Sequence, residues 1–478
     1  MEKVKIDTGY ITGTIIGEAG REVRIYRSIP YAAPPVGDLR WKPPQPPAPW
    51  SGVRECTAFC DFAPQSSSPP PGTPPRVLPK AVPSPHPTVR QSEDCLYLNV
   101  LTPAKKDTDK LPVMVWIHGG GFIFGSANEP VYNLPRLPQH GVVLVNINMR
   151  LGPIGLLAHP LLSRESPAGV SGNYMFLDSI AGLKWVRNNI AKFGGDPDNI
   201  TIFGESGGAA KVITLMASPQ AKGLFHRAVA ESASPDGKSL KELEAMGTRF
   251  FARLGVDKEK DPLKAARTLP WQKIIEVEQA LVQELHVTGR GGLWDLAVDG
   301  WFLPETPLNI FKSGKQHAVP YMLTANLGEL STRMGAYLVP AYLGLFSGAV
   351  KTGVNAYALI FDRVPEVWRR EGCVSCHAIE LGYVFGDWDN SSGFWQYILK
   401  IAGPSGAKSL NPGLSETDRQ VSEIMMKMWT QYAVDGDPGI KDLVNWPSWD
   451  KVSDRYLFIG DRPEVKSGYS QLVSLAII

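Results

Sequence analysis

The sequence predicts an α/β fold in which helices flank a large, mostly parallel central sheet. Two apolar runs, 112–117 and 200–203, are rich in β-branched and aromatic residues and predict buried strands. Each run leads into a glycine-rich turn, and a helix is predicted after the second turn, over 209–217. Buried strands that alternate with helices are typical of this fold class, because helices cover both faces of a parallel sheet.

The turn after the second run, 204–208, has the pattern G-x-S-x-G with Ser206 at its centre. Between a strand and a helix this pattern predicts a nucleophile elbow, because the glycines let the two elements approach without Cβ clashes. The serine hydroxyl then projects above the sheet, at the positive end of the helix dipole. A hydroxyl is a weak nucleophile at neutral pH, so it requires a base, an acid that orients the base, and donors for an oxyanion.

The oxyanion donors are predicted in the turn after the first run, where His-Gly-Gly-Gly occupies 118–121. Consecutive glycines after a strand let backbone N–H groups converge on one small volume. We expect Gly120 and Gly121 to donate, with the N–H of Gly207 as the third donor. Alone, the glycines would predict only a turn. Beside Ser206 they predict an oxyanion hole.

Together these motifs resemble the type-B carboxylesterase family, which includes cholinesterases and bacterial p-nitrobenzyl esterases. Further similar stretches are 29–37, Arg40-Trp41, 93–100, 193–200 and 446–449. The resemblance spans nearly the whole chain and implies a single α/β-hydrolase domain over 1–478. It also implies a serine carboxylesterase that hydrolyses small-molecule esters through an acyl-enzyme and needs no metal or organic cofactor.

Chain order selects the base, because the triad of α/β-hydrolases runs serine, acid, histidine. Of the eight histidines, His377 is followed by a stretch that resembles the one after the family's catalytic histidine. We therefore predict His377 as the general base. The other histidines downstream of the serine are His226, His286 and His317.

The acid is predicted at Glu329, in the loop after a strand-like run at 319–324, where the family carries its glutamate. A carboxylate there would hold the imidazole tautomer and stabilise the imidazolium. Asp299 is a rival, but it precedes a glycine, and Asp-Gly favours a tight turn.

Residues 373–377 spell C-x-x-C-H, the attachment pattern of c-type haem. Haem would need His377 as an axial ligand, whereas a hydrolase needs the same imidazole as its base, so the two functions exclude each other. The resemblance places Cys95 where relatives often form a disulfide, but the usual partner position falls near Ala63. The pairing therefore stays open among the five cysteines, Cys56, Cys60, Cys95, Cys373 and Cys376.

Several further residues are predicted near the substrate. The predicted pocket residues are Glu205, Phe122, Phe124, Trp294 and Leu327. Glu205 either packs the elbow or, as the resemblance implies, binds water or favours cationic groups. Lys211 departs from the family, in which most members carry a small residue there. A lysine at that position is expected to reach solvent or a carboxylate.

Two segments are predicted to border the site. The segment 64–90 is so rich in proline that it excludes a helix or a central strand. It is either a semi-rigid spacer or, as the resemblance implies, a loop at the active-site entrance. The apolar segment 334–370 predicts a cap or pocket insertion, with simple core as the alternative.

Composition and apolar patterning give no indication of several classes of function. A net charge of +2 with 20% charged residues gives no argument for nucleic acid or for a charged membrane surface. No apolar run is long enough to span a bilayer. The start lacks a secretory signal pattern, which predicts a cytoplasmic protein or a secreted one whose signal was removed.

The sequence leaves the oligomeric state open between a monomer and a homodimer. Two alternative functions also stay open: a non-catalytic binding protein of the same fold, and the cleavage of amides or carbamates.

Overall fold

The computed structural model describes residues 2–66, 90–233, 236–287, 293–332, 335–401, 409 and 411–477. The strands are β1 (Val4–Ile6), β2 (Gly9–Thr12), β3 (Thr14–Ile16), β4 (Val23–Pro30), β5 (Val53–Glu55), β6 (Tyr97–Thr102), β7 (Leu111–Ile117), β8 (Val143–Ile147), β9 (Gly195–Glu205), β10 (Arg227–Glu231), β11 (Lys238–Ser239), β12 (Ala297–Val298), β13 (Tyr321–Asn326), β14 (Ala356–Phe361), β15 (Arg455–Ile459) and β16 (Pro463–Ser467).

The α-helices surround these strands. They are α1 (Gly152–Leu156), α2 (Pro160–Glu165), α3 (Tyr174–Asn189), α4 (Gly207–Ala217), α5 (Leu240–Leu254), α6 (Pro262–Thr268), α7 (Trp271–Glu284), α8 (Pro307–Ser313), α9 (Leu327–Leu330), α10 (Gly335–Thr352), α11 (Glu366–Arg370), α12 (Leu381–Val384), α13 (Phe394–Ile401) and α14 (Glu416–Asp435). Among the helices that the structure describes, none combines the length and apolar content needed to cross a bilayer.

One large sheet organises the molecule. Within the described residues it has eleven strands in the order β16-β15-β14-β13-β10-β9-β7-β8-β6-β4-β3. The strands from β15 to β8 run parallel, whereas β16 at one end and β6, β4 and β3 at the other pair antiparallel. The prediction of a large, mostly parallel sheet is confirmed. Smaller sheets join β1, β2 and β5, and β11 with β12.

The predicted central strands are buried on both faces. The run 112–117 lies in β7 and the run 200–203 lies in β9, while the predicted helix 209–217 lies in α4. In β7, Val113 and Val115 belong to one hydrophobic core and Met114 and Trp116 belong to the other. A strand that packs apolar side chains on both faces carries little period-2 alternation, which explains its continuous apolar run.

The carboxyl ends of four neighbouring strands converge at one edge of the sheet. In order these strands are β7, β9, β10 and β13. The glycine triplet follows β7, Ser206 follows β9, and Glu329 lies in α9 directly after β13. Ligands of open α/β sheets bind outside the carboxyl ends of the strands. This edge is therefore where a site is expected.

The segment 334–370 stays predicted as a cap or pocket insertion, with simple core as the alternative. It contains α10 and also β14, a central strand paired with β13 and β15. Because α10 connects two parallel strands, it covers the sheet, and its residues Leu338, Tyr342 and Phe346 are buried. A crossover helix needs an apolar face as a pocket does, so composition alone did not separate the two. Of the proline-rich segment, residues 67–89 lie outside the described residues.

Candidate active site

Ser206 joins β9 to α4 in a strained backbone conformation. Its φ is 55° and its ψ is −124°, a combination that costs a non-glycine residue about 1–3 kcal/mol. Two hydrogen bonds hold the turn: Ser206 N donates to the carbonyl oxygen of Glu231 at 2.8 Å, and Ala210 N donates to that of Ser206 at 3.0 Å. A Cβ on Gly208 would lie 2.0 Å from the carbonyl oxygen of Ile117, so only glycine allows this approach of helix and strand.

A histidine bridges the serine and a carboxylate. His377 Nε2 lies 2.8 Å from Ser206 Oγ. On the other side of the ring, His377 Nδ1 makes a short hydrogen bond to Glu329 Oε1. A carboxylate on Nδ1 keeps the proton there and leaves Nε2 free to accept one. The imidazole side chain is 32% exposed, so a small molecule can reach it.

Glu329 is buried, and its carboxylate is held by neighbouring donors. Ser232 Oγ donates to Glu329 Oε2 at 2.7 Å, and the backbone N–H of Asn326 donates to the same oxygen at 2.8 Å. Burial alone would raise the pKa of Glu329, but the facing His377 and these donors hold it below its ordinary value. Glu329 is therefore ionised at neutral pH, as a partner for an imidazolium must be.

Two further buried carboxyl groups lie behind Glu329. Asn326 Nδ2 donates to Glu380 Oε2 at 2.6 Å, and Trp429 Nε1 donates to Glu231 Oε1 at 3.2 Å. Burial raises the pKa of Glu231 to about 8. Burial, together with the neighbouring carboxylates, raises the pKa of Glu380 well above its ordinary value. Both groups therefore resist ionisation, whereas Glu329 ionises readily.

Sequence reasoning missed Ser232, Asn326, Glu231 and Glu380. One signal was present: Asn326 is the last residue of β13, and Ser232 directly follows β10, beside the elbow strand. Polar residues at the carboxyl ends of neighbouring parallel strands are expected at a site.

The glycine triplet lies against the start of α4. Gly120 and Gly121 have positive φ values of 95° and 58°. A Cβ on Gly120 would lie 1.9 Å from the carbonyl oxygen of Phe124, so the turn requires glycine there. A Cβ on Gly207 would lie 2.7 Å from Gly121 N, which brings the two predicted donor segments together.

Glu205 borders the same site. It is 4% exposed, and its Oε1 lies 3.1 Å from His377 Nε2, the nitrogen that also faces Ser206 Oγ. A Cβ on Gly119 would lie 3.1 Å from the other carboxylate oxygen of Glu205. The contact with His377 favours a role at the site over simple packing of the elbow.

Comparison with known proteins shows the family of this chain. The sequence model of the carboxylesterase family matches residues 1–343 of this chain. The chain is 31% identical over 490 residues to the fumonisin B1 esterase of Sphingopyxis macrogoltabida, covering 92% of this chain and 84% of that protein. The chain belongs to the carboxylesterase family. It is also 30% identical to the para-nitrobenzyl esterase of Bacillus subtilis (strain 168), with 91% of each protein covered.

Solved structures of other esterases have the same fold as this carboxylesterase. A p-nitrobenzyl esterase superposes with a TM-score of 0.79 at 27% identity and covers 99% of each chain. A carboxylesterase of Geobacillus stearothermophilus superposes with a TM-score of 0.77 at 27% identity, covering 98% of this chain and 99% of the other. The fold is that of the α/β-hydrolases, and the chain is a serine carboxylesterase, a carboxylic ester hydrolase. The alternative of a non-catalytic binding protein therefore falls away.

The rival site residues of the carboxylesterase make local structural hydrogen bonds. His226 Nδ1 accepts from Ile200 N at 3.0 Å, and His317 Nε2 lies 2.8 Å from the carbonyl oxygen of Ser218. Asp299 Oδ1 accepts three consecutive backbone N–H groups at 3.0, 2.8 and 3.0 Å, as expected of a turn residue. These hydrogen bonds are made to backbone groups rather than to Ser206.

His377, the histidine of the C-x-x-C-H motif, lies between Ser206 and Glu329 in this carboxylesterase. Both ring nitrogens of His377 are engaged, one with Ser206 and one with Glu329. All five cysteines lie within the described residues and carry free thiols. The disulfide pairing that was left open is therefore not formed in this structure.

The predicted pocket residues divide into two groups. Phe124 and Leu327 are half-buried beside the glycine triplet and Glu329, respectively. Phe122 is 8% exposed and packs edge-on against Phe176 with ring centroids 5.6 Å apart. Trp294 is fully buried within the hydrophobic core, and its place in the pocket lining stays a prediction. An aromatic residue between apolar neighbours fits a pocket wall and a core equally well from sequence.

Glu278 of α7 gives the stability of this carboxylesterase a specific dependence on pH. Burial raises its pKa to about 8, against a smaller lowering by the indole of Trp294. Unfolded glutamate titrates near pH 4.3. Between these values only the folded state binds the proton, so stability is lost as pH rises, by up to about 1.4 kcal/mol per pH unit.

We expect Glu278→Gln to remove this loss, because the amide does not titrate. The difference in melting temperature, variant minus parent, should therefore increase between pH 5 and pH 8. Glu276→Gln, on the exposed side of the same helix, is the matched control and should show no such trend. If the difference in melting temperature between Glu278→Gln and the parent stays constant with pH, the prediction is contradicted.

Proposed function

We propose that this carboxylesterase hydrolyses uncharged small-molecule carboxylic esters through an acyl-enzyme on Ser206. The observation that supports it most is the position of His377, whose imidazole hydrogen-bonds Ser206 Oγ at 2.8 Å and Glu329 Oε1 on its opposite side. A nucleophile, a base and an orienting acid connected in this order form the arrangement that activates a serine hydroxyl.

In the proposed reaction, Ser206 Oγ attacks the ester carbonyl while His377 Nε2 takes the hydroxyl proton. The carbonyl oxygen becomes an oxyanion that accepts hydrogen bonds from the N–H groups of Gly120, Gly121 and Gly207. His377 then gives its proton to the alcohol oxygen as the C–O bond breaks. Water repeats the sequence on the acyl-enzyme, with His377 again as the base, and releases the acid. Glu329 holds the Nδ1 proton throughout.

The surroundings of the triad favour an ester with apolar parts. Phe122, Phe124 and Leu327 lie beside the proposed oxyanion donors and the acid, and an apolar wall with few polar groups suits an uncharged ligand. The named relatives act on fumonisin B1 and on p-nitrobenzyl esters, so esters are the substrate class that we infer here.

We also infer that the chain works as one α/β-hydrolase domain over 1–478, because the site groups come from segments between 118 and 377. The segment 64–90 is proposed to border the entrance. In support, Gly125 N donates to Gln65 Oε1 at 2.9 Å, so the start of this segment is tied close to the glycine triplet. At its base, Phe62 N donates to the carbonyl oxygen of Arg90 at 2.9 Å, which holds the two ends together.

Mass spectrometry of the intact protein after treatment with a fluorophosphonate tests the proposed nucleophile. We expect one phosphonyl adduct on the parent and none on Ser206→Ala, because only an activated hydroxyl reacts at neutral pH. Ser51→Ala removes an exposed serine and should be labelled like the parent. An unlabelled parent, or a labelled Ser206→Ala, would contradict the proposed function.

A further inference from the structure

Lys211 lies in the interior beneath the oxyanion loop, the name used here for residues 118–122. It belongs to α4, the helix that begins directly after Ser206, and its side chain has no exposed surface. Lysine is almost never fully buried without a partner, because removing an amine from water is costly. A lysine kept at this position therefore requires a specific contact.

The contact of Lys211 is with the oxyanion loop itself. Its Nζ donates a hydrogen bond to the carbonyl oxygen of His118 at 2.9 Å. The same nitrogen lies 5.7 Å from the centroid of the Phe122 ring, within the range of a cation–π interaction. His118 and Phe122 flank the three glycines, so one amine contacts both ends of the loop. The expectation of solvent or a carboxylate as its partner is wrong, because the partner is a backbone carbonyl.

The oxyanion loop needs such anchors. Phe122 has a positive φ of 71°, next to two glycines that also have positive φ. Such backbone persists only where the surroundings hold it, and glycine itself adds conformational freedom. A Cβ on Gly121 would meet no atom within 4 Å, so one side of the loop faces open space there. Within the loop, the carbonyl oxygen of Gly120 accepts from Ile123 N at 3.0 Å and from Phe124 N at 3.1 Å. Contacts at the ends of the loop add to these bonds in setting where the N–H groups point.

The imidazole of His118 makes a second hydrogen bond, next to the N–H group of Gly120. Burial, with a further contribution from Lys211, lowers the pKa of His118 to about 3, so the ring is neutral. Its Nδ1 donates to the carbonyl oxygen of Gly119 at 3.0 Å. That carbonyl belongs to the peptide group whose N–H is that of Gly120. A donor at the carbonyl of a peptide group orients the group and polarises its N–H.

We propose that Lys211 is a positioning residue for ester hydrolysis, which holds the oxyanion loop from below so that the N–H groups of Gly120 and Gly121 point at the oxyanion. The proposal rests on the proposed function, in which these N–H groups bind the oxyanion. Lys211 acts through the loop rather than on the reacting atoms. Burial lowers the pKa of Lys211 to about 7, but the amine donates to His118 in both protonation states, so the tether persists through its titration.

The test compares Lys211→Met with Lys184→Met, which removes an exposed lysine from α3. Values of kcat and KM are measured with p-nitrophenyl butyrate, and active sites are counted by fluorophosphonate titration. We expect Lys211→Met to lower kcat per active site about 10- to 100-fold while KM changes less than about twofold. Affinity for a trifluoromethyl ketone, which mimics the tetrahedral intermediate, should fall by a similar factor. Lys184→Met should match the parent.

A parent-like kcat per active site in Lys211→Met overturns the proposal. So does a loss of titratable sites while the remaining sites turn over at the parental rate, because that result assigns Lys211 a role in folding alone. If Lys211→Met fails to fold, Lys211→Gln, whose amide can donate to His118, replaces it. That variant should retain more than about a tenth of the parental kcat, and a larger loss overturns the proposal. An unlabelled parent overturns the proposed function and this proposal together, whereas a labelled parent with an unaffected Lys211→Met overturns this proposal alone.

Discussion

Replacing His377 by alanine should lower kcat for ester hydrolysis by roughly five to six orders of magnitude. The imidazole lies 2.8 Å from Ser206 Oγ and is the proposed base, and without it the hydroxyl proton would have no acceptor of suitable basicity. KM should change only a few-fold, because the ring takes part in proton transfer rather than in holding the ester. Steady-state kinetics with a p-nitrophenyl ester measure both parameters.

His286→Ala is the matched control for this prediction. His286 is exposed, lies just after α7 and is also downstream of Ser206 in the chain. Its replacement should leave kcat and KM close to the parental values. A His377→Ala variant that folds like the parent and keeps more than about one hundredth of its kcat would contradict the assignment of the base.

Replacing Glu329 by glutamine should lower kcat about 10⁴-fold, the second-largest effect expected. The amide is nearly the same size as the carboxylate, so the hydrogen bonds from Ser232 and Asn326 to the side-chain oxygen can persist. What is lost is the negative charge beside His377 Nδ1, which fixes the tautomer and stabilises the imidazolium in the transition state. Steady-state kcat, with the melting temperature as a check on folding, measures the effect.

Glu380→Gln is a demanding control, because both carboxyl groups are buried and both contact Asn326. Burial and the neighbouring carboxyl groups raise the pKa of Glu380 well above its ordinary value, whereas the pKa of Glu329 is lowered, so conversion to an amide removes less negative charge at Glu380. Activity should therefore fall by less than about tenfold, the cost of a perturbed hydrogen bond. Equal losses in Glu329→Gln and Glu380→Gln would contradict the assignment of Glu329 as the acid.

Much of the site could be predicted from sequence because its geometry is encoded locally. The elbow at Ser206 needs a strand, a sharp turn with glycines and a helix within a short stretch, and all three are visible in the residues. The glycines proposed as oxyanion donors likewise follow the run that forms β7. His377 and Glu329 are distant from Ser206 in the chain, and only chain order and family resemblance singled them out.

The remaining features depend on contacts between distant segments, which a sequence pattern does not carry. Ser232 and Asn326 become partners of Glu329 because β10 and β13 are neighbours in the sheet. The burial of Trp294 and the central position of β14 depend on how apolar segments pack, and an apolar run looks the same in a core and in a pocket wall. The hydrogen-bond partner of Lys211 is a backbone carbonyl, and every residue has one, so the sequence does not indicate which residue it is.

The most direct test of the central claim is to acid-quench the enzyme during turnover of a saturating p-nitrophenyl ester and locate the acyl group by peptide mass spectrometry. The account predicts an acyl group on the peptide that contains Ser206, and its absence from Ser206→Ala treated in the same way. An acyl group on another residue, with turnover retained in Ser206→Ala, would contradict it.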